Sequence, residues 1–422
     1  MTKAHKNIID RLLAFDAQRE PERLALKYQA MRADPFAFLR GTCRLFYSGL
    51  PKGKLLTQAP HIWLCGDLHL ENFGSYKGDN GLVYFDVNDF DDAVLGPVSW
   101  DVLRFVTSLL TACEARQIAR PRALTLSHAV LNVYTNTLID GKARWLERET
   151  ANGAFKALLD QARARKRAHW LDSRTVLNGE RRKLRLDARR AIAASAAQRA
   201  KVRTLLAQFA EKQSQPRFYR VIDVARRITG MGSLGVERYV ILVEGKGSPD
   251  ENHLLDLKQA VTPAAASLVK WKQPKWKAEA ARVVSAQRRI LAVEKAHLHE
   301  LKSGEYSYVL ADLQPSEDRL SLKALTDHDN QLEATVATLA RVVAWGHLRG
   351  SGHEGAASAQ ELADFWSKAG RRRKLLQMAS ECAAEVRVQW EAYCEEFDRR
   401  SKPAAEAKAP SRRRARSAIS SS

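Results

Sequence analysis

The sequence lacks the marks of a secreted or membrane-bound chain. Its five cysteines form no Cys-x-x-Cys pair and no zinc-ligand spacing, which fits a reducing cytosol better than a disulfide framework. No uninterrupted apolar run approaches the roughly 20 residues that span a bilayer. Near the N-terminus, charge interrupts the apolar run too soon for a signal peptide. We therefore expect a cytoplasmic protein with no membrane partner.

Glycine and proline are also modest in number, and acidic residues are in the minority. With 45% hydrophobic residues, the 422-residue chain can bury a large core divided between more than one lobe. Its 69 lysines and arginines outnumber 48 acidic residues, so the formal net charge is +21. A charge of this size favours contact with polyanions.

Much of the excess charge lies in two segments, residues 161–203 and 402–422. The second is rich in Ser, Ala, Pro, Arg and Lys, and we predict that it is disordered because it lacks apolar residues. The first can be read as a polyanion site or as a solvated pair of basic helices. Aromatic residues are not interleaved with these arginines, so we expect at most weak, non-specific polyanion binding.

The most informative motif lies at residues 65–72, the first acidic segment, which reads CGDLHLEN. Asp67 and Asn72 are five residues apart on a predicted loop. In a phosphotransferase, such an aspartate orients the attacking hydroxyl, and such an asparagine holds Mg²⁺ through its amide oxygen. The alternative is a turn with helix-capping side chains, a common use of Asp and Asn.

The second acidic segment, residues 84–92, reads YFDVNDFDD and follows the pattern of an apolar strand. Asp89 is the predicted charged Mg²⁺ ligand. Asp86 lies two residues earlier, on the same face of an extended strand, and is a further predicted ligand. Carboxylates on one face repel each other unless a cation lies between them. Asp91 and Asp92 remain open between a metal role and an exposed turn.

A glycine loop at residues 230–235 reads GMGSLG and is followed by strand-like residues. The predicted nucleotide-binding residues are Gly230, Gly232, Ser233, Gly235 and, at the end of the next apolar run, Lys258. In kinases, a glycine-rich hairpin covers the phosphates and a strand lysine pairs with them. Alone, a glycine cluster is also consistent with an ordinary turn.

Kinase lysines of this kind pair with a helix carboxylate. The apolar spacing predicts a helix over about 277–301, on which Glu279, Glu294 and Glu300 are available. Spacing does not choose among the three.

Together, the motifs resemble the Gly-Asp-x-His-x-x-Asn and Ile-Asp-Phe segments of aminoglycoside phosphotransferases, in which a structural aspartate, here Asp101, then opens a helix. Their order is inverted, which indicates a circular permutation. The same residues also resemble the bacterial domain-of-unknown-function family numbered 2252 over about residues 25–400. Its motifs here are Met31, the segment 35–41, both acidic segments, the glycine loop and the segment 313–319.

The resemblance implies an α+β, protein-kinase-like two-lobe fold with a mostly helical lobe and a small antiparallel glycine-rich sheet lobe. Residues 1–215 would carry the acidic segments, with a basic helical insertion at about 146–215. Residues 216–314 would form the nucleotide-binding part. The helices of 315–401 would pack on the helical lobe, and 402–422 would be the tail.

The expected function is ATP- and Mg²⁺-dependent phosphoryl transfer to an unknown small-molecule or protein acceptor, with Asp67 as the catalytic residue. One alternative is a nucleotide-binding regulatory or nucleic-acid-associated protein with little turnover. Another is AMP transfer on the same fold.

Overall fold

The computed structural model describes residues 8–321 and 329–401, which fold into a mixed α/β structure. The tail at 402–422, predicted to be disordered and basic, lies outside these residues. So does the first part of the N-terminal segment.

Helices account for most of the regular structure. Their bounds are α1 Ile8–Phe15, α2 Pro21–Met31, α3 Pro35–Gly41, α4 Cys43–Ser48, α5 Lys54–Thr57, α6 Ser99–Ala115, α7 Arg120–Asp140, α8 Gly153–Ala164, α9 Arg167–Arg174, α10 Ala196–Ala210, α11 Glu279–Ile290, α12 Asp329–Gly350, α13 Ala359–Ser367 and α14 Ala369–Ser401.

All of the strand pairs are antiparallel. The strands are β1 His61–Leu64, β2 Phe73–Lys77, β3 Val83–Val87, β4 Val94–Pro97, β5 Thr175–Asn178, β6 Arg181–Leu184, β7 Ala191–Ala193, β8 Val221–Arg227, β9 Arg238–Val243, β10 His253–Gln259, β11 His299–Ser303 and β12 Tyr306–Asp312.

A six-stranded sheet has the order β11-β12-β10-β9-β8-β7. Its central strand β9 is buried throughout, because residues on both faces are covered. Tyr239 and Ile241 share one cluster with residues of α10, while Val240 and Leu242 share another with Leu171 of α9. This burial on both faces explains the continuous apolar run of the strand.

The segment that we predicted as a basic helical insertion is only partly helical. It also contains β5, β6 and β7, and β7 pairs with β8 at the edge of the six-stranded sheet. The sheet therefore begins before residue 216. A predicted single helix over 277–301 is also wrong, since α11 ends at Ile290 and β11 begins at His299.

A larger core joins the remaining helices and two short hairpin-like pairs. Helices α6, α7, α12, α13 and α14 contribute to one continuous apolar cluster, with Trp63 and Trp366 fully buried in it. Strand β1 pairs with β4, and β2 pairs with β3. The connection from β1 to β2 and the connection from β3 to β4 therefore emerge side by side, which brings the two acidic segments together.

Candidate functional site

Asn72 joins the two acidic segments. It is buried, and its Oδ1 accepts a hydrogen bond from the Asp89 backbone N–H at 2.8 Å. Its Nδ2 donates to the backbone carbonyls of Asp67 at 3.0 Å and of Asp89 at 3.2 Å. Asn72 thus fixes the distance between the two aspartates. As a metal ligand it would have to use the second lone pair of Oδ1.

Asp67 lies at the base of the site on a tightly constrained loop. Arg104 of α6, itself fully buried, donates from Nε to Asp67 Oδ1 at 2.7 Å. Burial raises the pKa of Asp67, against the opposing charge of Arg104. The preceding Gly66 has φ +84°, and a Cβ there would lie 1.9 Å from the Asp92 carbonyl oxygen. Only glycine fits this position.

Asp101 supports the same loop from the first turn of α6. Its carboxylate accepts hydrogen bonds from the backbone N–H groups of Cys65 at 2.9 Å and Gly66 at 3.1 Å. The side chain is almost fully buried. Asp101 therefore lies at the start of a helix, as the resemblance implied, and it also holds the first acidic segment.

Lys258 of β10 lies among the carboxylates of the second acidic segment. It forms an ion pair with Asp91, and its Nζ lies 3.3 Å from Asp89 Oδ1. Lys258 and Asp89 are 169 positions apart in the chain, so the fold is what brings them together. We expected a carboxylate of the helix to pair with Lys258, and this expectation is corrected here. Asp89 and Asp91 take that place, and Glu279 pairs with Arg282 on its own helix.

The two aspartates beside Lys258 have opposite pKa shifts. Burial, followed by the charge of Asp89, raises the pKa of Asp91 to about 6. Burial acts in the same direction on Asp89, but the charges of Lys258, Arg319 and Arg238 together hold its pKa well below the ordinary value. The Asp89 carboxylate is therefore ionised at all working pH values. The Asp91 carboxylate titrates between the acidic and neutral ranges.

Asp86 is not part of this cluster, and its predicted role as a metal ligand is not supported by its position. It is 1% exposed and accepts a hydrogen bond from Arg349 of α12 at 2.5 Å. The Ala292 backbone N–H donates to it at 3.3 Å. Asp92 accepts a hydrogen bond from the Ala264 N–H at 2.5 Å, and its carboxylate lies within 4.8 Å of that of Asp67. Of the acidic residues that the sequence left open, Asp91 therefore contacts Lys258 and Asp92 adjoins Asp67.

The glycine loop connects β8 to β9 and lies over the acidic segments. A Cβ on Gly232 would lie 3.7 Å from Asp67 Oδ2, and the Ser233 hydroxyl donates to Asp91 Oδ2 at 3.3 Å. Arg19 holds the loop by donating from Nη1 to the carbonyls of Gly232 at 2.6 Å and of Leu234 at 2.8 Å. The glycine loop therefore adjoins the acidic segments through Gly232 and Ser233, while Lys258 contacts the second of these segments from β10.

This site opens into a cleft of about 750 Å³ between the six-stranded sheet and the β2–β3 pair. Sequence reasoning gave no role at the site to several basic residues that line it, among them Arg227, Arg238, Lys295 and Arg319. Lys295 donates to the Asn88 carbonyl at 3.0 Å. Burial lowers the pKa of Lys295 to about 8.

Asp256 organises two of these arginines. Arg238 donates to its carboxylate from Nε at 2.9 Å, and Arg227 Nη1 lies 3.0 Å from Asp256 Oδ2. The third nitrogen of Arg238, Nη1, is buried without a hydrogen-bond partner. Arg319 forms no ion pair with any residue of 8–321 or 329–401.

The sequence signal that could have found some of these residues is strand alternation. Asp256 and Lys258 share a face of β10, and Arg238 lies directly opposite Lys258 on β9.

Many cations of the basic segment 161–203 are neutralised by ion pairs. Arg182 pairs with both Asp172 and Asp250, at 2.6 and 2.8 Å. Further pairs join Arg165 to Asp318, Arg167 to Glu251, Arg174 and Arg190 to Glu317, and Lys201 to Glu237. Weak polyanion binding by this segment stays a prediction.

Fold and site together define a mixed α/β protein with an acidic cluster facing a basic cleft. The chain belongs to the bacterial family described as an uncharacterised protein conserved in bacteria, DUF2252, whose family model matches residues 19–396. No functionally curated protein and no solved structure matches the chain. Within residues 8–321 and 329–401, no helix has the length and apolar character needed to cross a membrane.

Proposed function

We propose that the protein is an ATP- and Mg²⁺-dependent phosphotransferase of protein-kinase-like, circularly permuted construction, acting on a hydroxyl or amine acceptor. One observation carries the proposal. Lys258 and the second acidic segment line the cleft, and Asp67, Gly232 and Ser233 line a smaller neighbouring pocket that shares Asp89 and Asp91 with it. Phosphoryl transfer requires these groups in one place because it depends on positioning and charge neutralisation.

The residues of the cleft fit a triphosphate. The buried Arg238 Nη1 has no partner, and such a group costs free energy unless a ligand satisfies it. Arg319 adds a guanidinium that forms no ion pair within the described part of the chain. Lysines and arginines outnumber carboxylates along the cleft walls, so an anionic ligand would relieve their mutual repulsion.

The acidic cluster fits a divalent cation. Asp89, Asp91 and Asn72 offer the oxygen ligands that Mg²⁺ prefers. Burial and the charge of Asp89 raise the pKa of Asp91, so a cation beside the two carboxylates would favour its ionised form. When bound, the ion would neutralise charge on the transferred phosphoryl group. Asp91 takes the place that the sequence gave to Asp86.

Asp67 would accept the hydrogen bond of the acceptor group and then its proton. Arg104 fixes one carboxylate oxygen, which leaves Oδ2 facing the glycine loop. Backbone N–H groups of that loop would cover the phosphates, and Lys258 would move from the aspartates to the phosphates. Transfer of AMP would require the α-phosphate, and not the γ-phosphate, to face Asp67.

Thermal melts with saturating ATP and Mg²⁺, supported by calorimetry, test nucleotide binding. Binding at a hundredfold excess over Kd should stabilise the protein by about 2.7 kcal/mol. Incubation with γ-labelled or α-labelled ATP and a cell metabolite extract then separates phosphoryl from AMP transfer. Absence of both heat and a melting shift would refute the nucleotide site. Binding without label transfer would favour the regulatory alternative.

A further inference from the structure

Two histidines and an aspartate from separate segments meet where strand β10 begins and strand β12 ends. His253 begins β10, Asp312 ends β12, and His297 lies in the connection before β11. Their donor atoms all lie within 4.8 Å of one another. All three side chains are partly exposed, so an ion could enter from solvent. None of them belongs to the acidic cluster around Lys258.

The three donors are arranged around a gap. His253 Nε2 lies 2.7 Å from Asp312 Oδ1, within hydrogen-bond distance. His297 Nε2 lies 3.8 Å from the same oxygen, which is too far for a hydrogen bond. The imidazole nitrogen of His297 therefore faces a carboxylate without bonding to it. A cation between the two would satisfy both.

The ring of His297 is held in this orientation by two aromatic neighbours. Its Nδ1 shares a hydrogen bond of 3.0 Å with the Tyr219 hydroxyl. Its ring stacks on Phe218 with centroids 4.8 Å apart. Metal-bound imidazoles commonly have such an outer partner, because the bond on one nitrogen fixes the direction of the other.

The backbone of His297 points the same way. Its φ is +55°, a left-handed conformation that a residue with a side chain rarely adopts, and such conformations concentrate at functional sites.

We propose that His253, His297 and Asp312 bind a divalent transition-metal ion of the Zn²⁺ class. Zinc suits a ligand set of two imidazoles and one carboxylate, in which a fourth position is open to water. Mg²⁺ is excluded as the preferred occupant because it favours oxygen ligands alone. The proposal is independent of the phosphotransferase proposal.

The ion would connect β10, β12 and the segment that precedes β11. That segment also carries Lys295, which donates to the Asn88 carbonyl in the cleft. The backbone N–H of Asp312 donates to the Ala296 carbonyl at 3.2 Å, so ligand and segment are already joined. Metal binding would therefore fix one wall of the cleft without taking part in the acidic cluster.

Calorimetric titration of chelator-treated, tag-free full-length protein with ZnCl₂ tests the proposal. We expect one Zn²⁺ per chain and at least about tenfold weaker binding in His297→Asn and in Asp312→Asn. Asparagine is chosen at position 297 because it tolerates positive φ. The matched control is His299→Ala, a neighbouring histidine outside the trio, which should bind like wild type. Circular dichroism would confirm that each variant is folded.

Cobalt supplies a second readout, since Co²⁺ bound by nitrogen and oxygen ligands absorbs visible light. Wild type and His299→Ala should give the same d–d bands, and His297→Asn should lose them. The proposal is overturned if wild type binds no Zn²⁺, or if folded His297→Asn binds with unchanged affinity. It is equally overturned if His299→Ala loses as much affinity as His297→Asn.

Discussion

Replacing Lys258 with methionine should destabilise the protein in a way that Mg²⁺ reverses. The substitution removes the cation between Asp89 and Asp91 but keeps a similar volume. Loss of one partner from a buried ion pair costs about 3–5 kcal/mol. Asp89 is 33% exposed, so water compensates part of the loss, and we expect about 2 kcal/mol. With an unfolding entropy of about 2.1 cal/mol/K per residue, this corresponds to roughly 2–3 °C in Tm for a chain of this length.

The assay is a thermal melt of each variant with and without Mg²⁺. A concentration of about 10 mM is used, so that Mg²⁺ exceeds the dissociation constant of a weak site by roughly tenfold. In wild type, Mg²⁺ must compete with Lys258 for the carboxylates. In Lys258→Met, those carboxylates lack a counterion, so Mg²⁺ should raise Tm by more than in wild type. Lys201→Met is the matched control, because it breaks a comparable pair with Glu237 at 2.8 Å outside the cleft. Mg²⁺ should not rescue it.

The pH dependence follows from Asp91, whose pKa is raised to about 6. Because the folded state holds this proton more tightly than the unfolded chain, the stabilisation is complete below about pH 4 and is lost as pH rises through about 6. Stabilisation by Mg²⁺ should grow over the same interval. If Lys258→Met melts like wild type and gains nothing from Mg²⁺, the assignment of this cluster as a cation site is wrong.

Three further substitutions separate the roles of the site. Asp67→Asn should keep Mg²⁺-ATP affinity within about threefold and lose label transfer, since Asp67 faces the acceptor; full turnover by this variant would contradict its role. Gly235→Ala should weaken ATP binding in calorimetry, because φ is +88° and the new Cβ would lie 2.7 Å from Arg19 Cβ; unchanged affinity would mean that the loop does not touch the nucleotide. Asp256→Asn should lower the free energy of unfolding by about 3 kcal/mol in urea, since two buried guanidinium groups lose their counterion; a loss below about 1 kcal/mol would refute that argument.

The local arrangement of the acidic and glycine-rich loops could be predicted from the sequence because it depends on short spacings. Asp67 and Asn72 lie on one loop, and the glycine loop lies in one hairpin connection, so their arrangement needs no distant information. Asp86 shows where such reasoning ends. Strand alternation places it on a face, but its partner Arg349 is 263 residues away, and nothing local indicates that pairing.

The end of α11 could not be predicted for a similar reason. Residues 291–298 read LAVEKAHL, which includes good helix formers and no stop signal. The chain leaves the helix because its backbone pairs with the β2–β3 connection, where the Asp79 N–H donates to the Glu294 carbonyl at 2.9 Å. Tertiary hydrogen bonds outweigh a helix propensity of a few tenths of a kcal/mol per residue.

The strands within the basic segment, by contrast, carried a readable signal. Gly179 and Glu180 join β5 to β6, with Asn178 paired to Arg181, and glycine at the first position of a two-residue loop is typical of a hairpin turn. The many arginines around it suggested a helix pair and concealed this turn.

The hydrogen bonds from Arg19 to the glycine loop have a kinetic consequence. That arginine precedes α2, 213 residues before Gly232, and its guanidinium is bound at the outer side of the loop. Any outward movement of the loop must break two short bonds to one side chain, at 2.6 and 2.8 Å. The N-terminal segment that carries Arg19 is thus tied to the glycine loop, and the rate at which the loop moves away from the acidic segments would depend on breaking these two bonds.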